Sequence, residues 1–217
     1  MRIYCIIPAR GGSKRIKNKN LVKVKGKPLL EYSIDASLRS KKITRTYISS
    51  DSEKILKFCK KFEVYTIKRN KNISSDTSTT EETVKDFLIK LKKNNDVPDY
   101  IVLLQPTSPF KDKYDIDKGI TYLLDNKLDS LFSGCINKNL FWKIDDKKLK
   151  PLNYNYKKRK MEQSFKGQIM ENGNFYVFNS KKFKNNRLFG KIGCYLMNKR
   201  NSIQIDDIED LKIANKI

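Results

Sequence analysis

Histidine does not occur among the 217 residues of this chain. Its absence excludes Ser-His-Asp and Cys-His catalysis and metal sites built on imidazole, so proton transfer and metal binding must use carboxylates, lysines or water. Cysteine is scarce as well, and no two cysteines have the Cys-x-x-Cys spacing. We therefore expect unpaired structural thiols in a reducing compartment at Cys5, Cys59, Cys135 and Cys194.

Long apolar runs are also missing from the sequence. No segment approaches the ~20 apolar residues that a membrane-spanning helix requires. The first strand-like segment starts at Ile3, and we expect no signal peptide before it. These observations predict a cytoplasmic protein that has no membrane partner.

Negative charge is in short supply, because 24 Asp and Glu residues face 47 Lys and Arg residues, which gives a net charge of +23. Such an excess favours an anionic partner. The cations form no single stripe, however, and the sequence contains no zinc finger and no basic motif interleaved with aromatic residues. Lysine is enriched together with asparagine and isoleucine, as A/T-rich codons would produce. We therefore expect a small anionic substrate rather than a nucleic acid.

Strand-like apolar runs alternate with helical patterns, which is typical of an α/β fold with a mostly parallel sheet. The predicted strands are Ile3–Ile7, Arg45–Ser49, Glu63–Ile67, Tyr100–Leu104, Ser130–Cys135, Asn174–Phe178 and Ser202–Ile205. Pro28 is placed to open the first helix, and Asp206 or Asp207 is placed to cap the last. No internal repeat is visible, so we predict a single domain over residues 1–217.

One segment, residues 136–170, breaks this alternation. It is rich in lysine, has no clean helical period and contains the single tryptophan, Trp142. An irregular stretch of this length in a compact domain usually has a function or a partner. Leu140, Phe141 and Trp142 would be costly to expose in a monomer. This favours an arm that packs on a second subunit over a loose surface loop.

The stretch 6–21, with the sequence IIPARGGSKRIKNKNL, follows the first predicted strand and combines glycines with cations. Glycine permits positive φ and close backbone approach, so successive N–H groups can converge on an anion. Arg10, Ser13, Lys14 and Lys19 add charge and donors. The stretch matches neither the Walker pattern nor Gly-x-Gly-x-x-Gly. On its own it fits a polyphosphate site and a strand–helix turn with solvated lysines equally well.

Four further segments, taken with this loop, carry a family resemblance. They are SSDT at 74–77, LLQPTSPF at 103–110, ENGNFY at 171–176 and IQIDDIEDL at 203–211. In this order and spacing the segments resemble the N-acylneuraminate cytidylyltransferases, the CMP-sialic acid synthetases and their pseudaminic and legionaminic acid relatives. The resemblance runs nearly end to end. It implies a Rossmann-like nucleotidyltransferase fold, with a mostly parallel twisted sheet flanked by helices and residues 136–170 as the protruding dimerisation arm of a homodimer.

The resemblance implies that the chain joins CTP to a nine-carbon 2-keto sugar acid, giving a CMP-sugar and pyrophosphate with the help of Mg²⁺. Cations, backbone donors and a metal would supply most of the stabilisation as the anomeric hydroxyl attacks the α-phosphorus. Lys14 and Lys19 are the best candidates to face the triphosphate. Without the resemblance, Arg69 is interpreted as a surface cation and Thr80 as a helix cap. The implied nucleotide-binding residues are Arg10, Gly11, Gly12, Ser13, Lys14, Lys19, Asn20, Arg69 and Thr80.

On the sugar side, the resemblance implies contacts from Gln105, Lys143, Gln163, Asn172, Gly173 and Tyr176. Gln105 ends a predicted central strand, at the edge where open α/β sheets bind ligands. Lys143 falls in the arm, from which we expect it to reach the site of the neighbouring subunit. The Asn-Gly pair at 172–173 is also the pattern of a hairpin turn, and the prolines near Gln105 also suit a purely structural turn.

The metal motif of most relatives has two aspartates separated by one residue, and here these positions hold Gln204 and Asp206. Asp206 is therefore the implied Mg²⁺ ligand, and with Lys19 it is the implied catalytic residue. An amide oxygen at Gln204 is a tolerable ligand with one negative charge fewer, so we expect weaker Mg²⁺ retention. Three acidic residues suit the N-terminus of the last helix instead, namely Asp207, Glu209 and Asp210.

A second departure from the family pattern lies ten residues before Asn172. The resemblance places there an arginine that pairs with the sugar carboxylate, but the chain has Glu162, followed by the matching Gln163. Either the arm is shifted so that Arg159 or Lys160 takes this role, or the sugar differs, or activity has been lost. We favour the shifted arm because it needs the smallest change.

Two hypotheses therefore stand. The first is a homodimeric, Mg²⁺-dependent cytidylyltransferase for a sialic-acid-type sugar, with pseudaminic or legionaminic acid as the alternative substrate; the ENGNFY segment favours sialic acid. The second is a non-catalytic, basic polyanion-binding protein on the same scaffold, and Gln204 and Glu162 favour it. The first is favoured by the joint presence of Lys14, Lys19, Arg69, Gln105 and Asp206.

Overall fold

The computed structural model describes residues 1–75 and 77–217, without the side chains of Lys71, Lys113 and Glu162. Its centre is a seven-stranded sheet with the order β11 (Ile192–Leu196), β7 (Ser130–Asn137), β10 (Gln168–Asn179), β6 (Tyr100–Leu104), β1 (Ile3–Pro8), β4 (Arg45–Ser50) and β5 (Tyr65–Lys68). β10 runs antiparallel to both of its neighbours, whereas the other described pairs of this sheet are parallel. The predicted α/β class and mostly parallel sheet are confirmed.

Helices pack on both faces of this sheet. They are α1 (Leu29–Arg39), α2 (Glu53–Cys59), α3 (Thr80–Lys93), α4 (Lys113–Asp125) and α5 (Ile208–Lys216). A short hairpin ahead of α1 consists of β2 (Lys23–Val24) and β3 (Lys27–Pro28). Helices α1, α2 and α4 contribute to one apolar cluster of the core, α3 contributes to a second, and α5 contributes to a third. No helix in the described part of the chain is long and apolar enough to cross a bilayer.

The first strand shows why the sequence forms this layered arrangement. Along β1, Ile3, Cys5 and Ile7 belong to the cluster that includes α1 and α4, while Tyr4 and Ile6 belong to the cluster that includes α3. Side chains alternate across a strand, so a continuous apolar run fits a strand that is covered on both faces. All five side chains are at most 1% exposed.

The last helix begins after a reciprocal cap. Asp207 is the N-cap, and its Oδ1 accepts a hydrogen bond from Asp210 N at 3.0 Å. Asp210 Oδ2 in turn accepts from the backbone N–H groups of Asp206 at 2.8 Å and Asp207 at 3.1 Å. This arrangement satisfies donors that a helix start would leave unpaired. Of the two predicted caps it is therefore Asp207 that serves, and the Asp206 carboxylate is left for other partners.

The predicted strand Ser202–Ile205 is wrong. Lys199–Ser202 forms a 3₁₀ helix, and residues 203–206 belong to none of the described strands. Ile205 N donates to Thr107 O at 2.8 Å, and its side chain packs with Val24 and the last helix. The apolar alternation therefore reflects burial beneath α5 rather than sheet pairing. The edge strand of the sheet is instead β11, which the prediction missed because its outer residues are exposed.

The Asn-Gly pair at 172–173 lies inside a strand and not at a hairpin turn. β10 pairs with β7 along most of its length, but the register shifts between Glu171 and Tyr176. Gly173 lies within this shift with a φ of 61°. Such a β-bulge bends a strand and redirects its side chains. The predicted strand Asn174–Phe178 is thus the second half of a longer strand that begins at Gln168.

Residues 138–167, between β7 and β10, lie outside the seven-stranded sheet and are called the arm below. The arm contains a hairpin of β8 (Trp142–Asp145) and β9 (Lys148–Pro151) and two short 3₁₀ turns. The segment 136–170 is therefore less irregular than the sequence predicted. Its first and last residues extend β7 and β10.

Candidate functional site

A polar cavity of about 440 Å³ opens at the carboxyl ends of β1 and β6. Ligands of open α/β sheets bind at this edge. The predicted site residues on its lining are Arg10, Ser13, Lys19, Asn20, Arg69, Thr80, Gln105 and Asp206. The rest of the lining is formed by Pro8, Ser78, Thr79, Thr83, Pro106, Thr107 and Gln204. Segments that are far apart in the sequence therefore converge on one cavity.

The glycine-rich loop after β1 is held in place from two sides. Gly11 N donates a hydrogen bond to Asp51 Oδ1 at 2.9 Å, and the buried Asn20 donates from Nδ2 to Arg10 O at 2.8 Å. A Cβ at Gly11 would lie 2.7 Å from Ser52 Cβ. The loop can therefore approach its neighbour this closely only with glycine at position 11.

Lys19 and Asp206 meet at the cavity although 187 residues separate them in the sequence. Lys19 begins the 3₁₀ turn Lys19–Leu21, and its Nζ donates to Asp206 Oδ1 at 2.8 Å. The Lys19 side chain is 14% exposed and that of Asp206 is 49% exposed. A pair as accessible as this contributes little to stability. It does, however, place a cation and a carboxylate side by side on the cavity wall.

Arg69 is a buried cation of the cavity wall, not a surface residue. It is 6% exposed, and it donates from Nη2 to Ser49 O at 2.6 Å and from Nε to Ser49 Oγ at 3.2 Å. Burial lowers the pKa of Arg69, while Asp51 and Asp86 act in the opposite direction. Arginine nevertheless stays charged in proteins. Its positive charge is therefore fixed at this position.

Helix α3 begins at the cavity. Thr79 is its N-cap, with Oγ1 accepting from Glu82 N at 3.2 Å while Glu82 Oε2 accepts from Thr79 N at 2.7 Å. Thr80, the first helical residue, is thus not the cap. Thr79, Thr80 and Thr83 all line the cavity. Because a helix N-terminus attracts negative charge, this end of α3 adds to the attraction that Arg69 exerts on an anionic ligand.

Gln105 follows β6, and both atoms of its amide have partners. Assigned by donor–acceptor complementarity, the amide orientation has Nε2 donating to Gly173 O at 2.9 Å and Oε1 accepting from Arg187 Nη1 at 3.2 Å. Gln204 Nε2 donates to Asn172 O at 2.5 Å. A Cβ at Gly173 would lie 2.7 Å from the amide end of Gln105 and 2.7 Å from that of Gln204. Glycine in the bulge therefore lets two amides approach the same turn of backbone.

The acidic groups of the cavity set a limit on metal binding. Among the described side chains, no group of three or more Asp, Glu, Cys or His is arranged to hold a metal ion. Asp206 supplies one carboxylate, and Gln204 can add only a neutral oxygen. Mg²⁺ often binds through one or two carboxylates and substrate phosphates while keeping several waters. The donor set therefore fits a Mg²⁺ that binds together with a polyphosphate.

Two predicted sugar contacts are buried behind the cavity. Asn172 is fully buried; its Oδ1 accepts from Ser133 Oγ at 2.6 Å, and its Nδ2 donates to Ser202 Oγ at 2.9 Å. Tyr176 is 3% exposed, and its hydroxyl donates to Glu171. Burial raises the pKa of Tyr176 above its usual value. Among the described residues, the predicted site residues outside the cavity lining are Gly11, Gly12, Lys14, Lys143, Gln163, Asn172, Gly173 and Tyr176.

The arm does not reach the cavity lining in the described part of this one chain. Lys143 lies in β8 with its Nζ 3.4 Å from Asp145 Oδ2, and Gln163 is exposed in a 3₁₀ turn. Arg159 and Lys160 line a separate cavity of about 480 Å³ within the arm. Asp76 and the side chain of Glu162 lie outside the described residues.

Arg187 is a neighbour of the cavity that the sequence did not reveal. Its Nε donates to Glu81 Oε1 at 2.5 Å, and its guanidinium lies 4.8 Å from the centre of the Tyr176 ring. Arg187 lies in the irregular segment between β10 and β11, where no motif marks it. Only the tertiary structure brings it to Gln105.

Lys111 is a second cation that the sequence analysis missed. Its Nζ donates to Gln105 O at 2.6 Å and to Ser108 O. Burial of the amine lowers the pKa of Lys111 to about 7. The residue comes directly after the LLQPTSPF segment, so its position in the sequence could have indicated it. Lys111 holds the backbone of the loop that presents Gln105.

The sheet and its cationic cavity define an α/β protein with an anion-attracting site at the carboxyl ends of its strands. Among solved structures, CMP:2-keto-3-deoxy-manno-octonic acid synthetase in complex with CTP shares this fold with a TM-score of 0.63. The match covers 83% of this chain and 75% of that one, with 15% sequence identity. The chain itself belongs to the cytidylyltransferase family, whose family model matches residues 4–216.

Curated relatives agree with this assignment and with the resemblance noted in the sequence. The N-acylneuraminate cytidylyltransferase of Streptococcus agalactiae serotype III (strain NEM316) is 28% identical over 217 residues, covering 97% of this chain and 52% of that protein. The pseudaminic acid cytidylyltransferase of Campylobacter jejuni subsp. jejuni serotype O:2 is 34% identical over 135 residues, covering 62% of this chain and 58% of that protein. The chain therefore spans little more than half the length of these two relatives.

Proposed function

We propose that this chain joins CTP to a sialic-acid-type nonulosonic acid, giving a CMP-sugar and pyrophosphate. The observation that carries the proposal is the convergence of Arg10, Lys19, Arg69 and the start of α3 on one cavity beside Asp206. The N-acylneuraminate relative and the CTP complex of the structural neighbour support the same chemistry. Cytidylyl transfer needs electrostatic stabilisation more than covalent catalysis, which suits a chain without histidine.

The nucleotide side of this proposal uses the first loop and α3. Arg10, Lys19 and Arg69 attract the triphosphate, and Ser13, Asn20 and Thr80 add polar contacts around it. Gly11 and Gly12 give the loop its close approach, and Lys14 extends its positive charge. Lys19 is assigned the catalytic role because its ammonium group is fixed at the cavity wall, where charge develops on the phosphoryl oxygens.

The sugar side of the proposal begins at Gln105. The anomeric hydroxyl attacks the α-phosphorus of CTP, a new P–O bond forms, and the bond to pyrophosphate breaks. Asp206 is the carboxylate placed to take the hydroxyl proton. The bulge at Asn172 and Gly173, together with Tyr176, supports Gln105 from behind.

Mg²⁺ is the proposed cofactor, and Asp206 is the residue that would hold it, with the neutral oxygen of Gln204 as the only further protein ligand we assign. When bound, the ion neutralises charge on the phosphates of the nucleotide. Because a single carboxylate supplies most of the attraction, we expect a higher Mg²⁺ requirement than a site with two carboxylates would show.

A homodimer is the proposed assembly, with the arm at its interface. Trp142 contacts Tyr154 and Tyr156 within the arm, at ring-centre distances of 5.9 and 5.6 Å. Ile144 and Leu149, paired across the β8–β9 hairpin, are 78% and 67% exposed. A second copy covering this surface would remove apolar area from water.

Replacing both Ile144 and Leu149 by Asp should turn a dimer into a monomer in sedimentation velocity. If Lys143 and Gln163 reach the neighbouring site, the monomer also loses turnover. A wild-type chain that sediments as a monomer would overturn the assembly.

We propose that the reaction takes place in the cytoplasm. In support, all four cysteines are free, and three of them are buried. A reducing compartment keeps such thiols unpaired.

The direct test is a panel of nonulosonic acids with CTP and Mg²⁺, read by pyrophosphate release and by the mass of the CMP-sugar. We expect turnover with N-acetylneuraminic acid. The pseudaminic acid relative supports pseudaminic acid as the second candidate, and faster turnover of that sugar would favour it. No turnover with any member of the panel would overturn the function. In that case, salt-sensitive retention on nucleic acid without thermal protection by CTP would indicate a polyanion-binding protein.

A further inference from the structure

Arg187 and Glu81 form an ion pair next to Gln105. Arg187 Nε donates to Glu81 Oε1 at 2.5 Å, and the two side chains are 16% and 22% exposed. The Arg187 guanidinium also covers the Tyr176 ring at 4.8 Å and donates from Nη1 to Gln105 Oε1 at 3.2 Å. One side chain therefore connects the start of α3, the end of β6 and the middle of β10.

Stability alone explains this pair poorly. Burial by itself would raise the pKa of the Glu81 carboxyl, but the hydrogen bond and charge of Arg187 lower it below its usual value. The pair is therefore charged at neutral pH. The desolvation cost of a largely buried ion pair often cancels its attraction. A specific geometric role accounts better for a charged group at this position.

We propose that Arg187 is a positioning residue that fixes the Gln105 amide for recognition of the sugar acid, with Glu81 holding the guanidinium in place. This inference rests on the proposed function. Rotating a glutamine amide by half a turn exchanges its donor and its acceptor. Arg187 offers only donors and Gly173 O only accepts, so the Gln105 oxygen must face Arg187 and its nitrogen must face Gly173. The ligand therefore meets one fixed pattern of donor and acceptor.

Two substitutions distinguish a positioning role of Arg187 from a role in packing alone. Arg187→Met keeps an extended side chain over Tyr176 but removes the donors, so Gln105 can adopt both amide orientations. Glu81→Gln keeps an acceptor for Arg187 Nε and removes the charge that anchors it. Lysine at 187 is not a conservative control, since a single ammonium group lacks the planar fork that bonds two partners at once.

The chain supplies a matched control at the opposite end of the sheet. Arg45 Nη1 donates to Asp96 Oδ2 at 2.5 Å, and its guanidinium lies 5.3 Å from the centre of the Tyr4 ring. This group has the same composition of arginine, carboxylate and tyrosine. Arg45 is not part of the described cavity lining. Arg45→Met therefore removes an equivalent set of contacts without touching the site.

The experiment is steady-state kinetics of the full chain with the sugar acid that the wild type turns over best. We expect Arg187→Met to raise the KM for the sugar acid about tenfold or more, as for the loss of a hydrogen bond to a charged group. The KM for CTP should stay within about twofold of the wild-type value. Arg45→Met should leave both KM values unchanged. Glu81→Gln should raise the KM for the sugar acid by a smaller factor.

A double-mutant cycle with Gln105→Ala makes the inference falsifiable. In that background Arg187→Met should have almost no further effect, because the amide that it orients is gone. Fully additive effects, equal increases in both KM values, or unchanged kinetics would each overturn the positioning role. If Arg187→Met does not fold, the cycle is run with Glu81→Gln. A wild type that turns over no nonulosonic acid refutes the proposed function instead, which keeps the two failures distinct.

Discussion

The amino end and the carboxyl end of the central sheet both carry arginines and carboxylates, but the ratio of positive to negative groups differs between them. At the amino ends of β1 and β4, Asp96 accepts from Tyr4 Oη at 2.6 Å, from Arg2 Nη1 at 3.0 Å and from Arg45 Nη1 at 2.5 Å. Here several donors converge on one carboxylate that the chain itself provides. The positive charges at this end of the sheet are therefore paired with a carboxylate of the chain itself, as in a structural cluster.

The carboxyl ends of β1 and β6 are built differently. On the described cavity lining, Arg10, Lys19 and Arg69 face Asp206 as the one carboxylate. Lys19 pairs with Asp206, and the nearby Asp51 and Asp86 act on Arg69, yet the cations of this described lining still outnumber its carboxylates. Such an imbalance costs stability unless an anion enters. Charge balance within a cluster, more than residue type, therefore separates the structural end of this sheet from the end that carries the candidate site.

The largest expected effect is on turnover at the carboxyl end. Replacing Asp206 by Ala should lower kcat by about 100-fold or more, because the described part of the cavity lining loses its one acidic group. Stability should change by less than about 1 kcal/mol, since Asp206 is half exposed and its pair with Lys19 is accessible to water. Kinetics and urea unfolding of the same preparation measure both. Near-normal turnover would remove Asp206 from the catalytic and metal roles.

The next effect concerns the bulge beside Gln105. Replacing Gly173 by Ala should cost about 1–2 kcal/mol for the left-handed backbone, and it should also raise the KM for the sugar acid by displacing the Gln105 amide. The matched control is Gly26→Ala. Gly26 also has positive φ, but an added Cβ there meets nothing within 4 Å. Equal kinetic behaviour of the two variants would show that crowding at Gly173 is irrelevant to the site.

The residues of the first loop that line the cavity were easier to predict than the residues that support Gln105. Arg10, Ser13, Lys19 and Asn20 lie within one short loop after a strand, so local sequence reveals them. Arg187 reaches Glu81 across 106 residues, and only packing brings them together. Local composition holds no information about such a contact. The sequence therefore indicates the loop that lines the cavity well and the network that supports Gln105 poorly.

The fold was predictable where both faces of a strand are buried. Tyr100–Leu104 was predicted with the bounds that the structure shows, since an apolar run with no polar alternation fits only a central strand. The errors fall at the margins of the sheet. The edge strand Ile192–Leu196 shows little hydrophobic pattern, and Ser202–Ile205 shows a strand-like pattern because Ile205 is buried under α5.

A substitution at the amino end of the sheet should lower stability and leave turnover unchanged, which is the reverse of the result expected for Asp206→Ala. Replacing Asp96 by Ala leaves Tyr4 and Arg45 without their acceptor, and we expect a loss of about 2 kcal/mol in the free energy of unfolding. The values of kcat and KM should stay at wild-type levels. Urea unfolding and kinetics with CTP provide the two measurements. A variant that keeps its stability but loses turnover would contradict the division between the two ends of the sheet.

Lys111, a half-buried cation at the carboxyl end of the sheet, should make the stability of the chain depend on pH. Burial lowers the pKa of Lys111 to about 7 in the folded chain, whereas an unfolded lysine titrates near about 10.4. Below about pH 7 both states bind the proton and the full cost of the buried charge is present. Above it the unfolded chain binds more protons, so the free energy of unfolding rises by up to about 1.4 kcal/mol per pH unit.

Lys111→Met removes this titration while leaving the other groups in place. The variant also leaves Gln105 O and Ser108 O without their donor, a cost of about 1–3 kcal/mol that does not depend on pH. The diagnostic quantity is therefore the slope of the difference between wild type and variant, measured by urea unfolding from about pH 6 to about pH 9. We expect that difference to increase with pH. A difference that does not change with pH would mean that the two carbonyls keep the Lys111 ammonium charged over this range. Lys111 would then be a permanently charged, hydrogen-bonded cation, as the arginines at the amino end are.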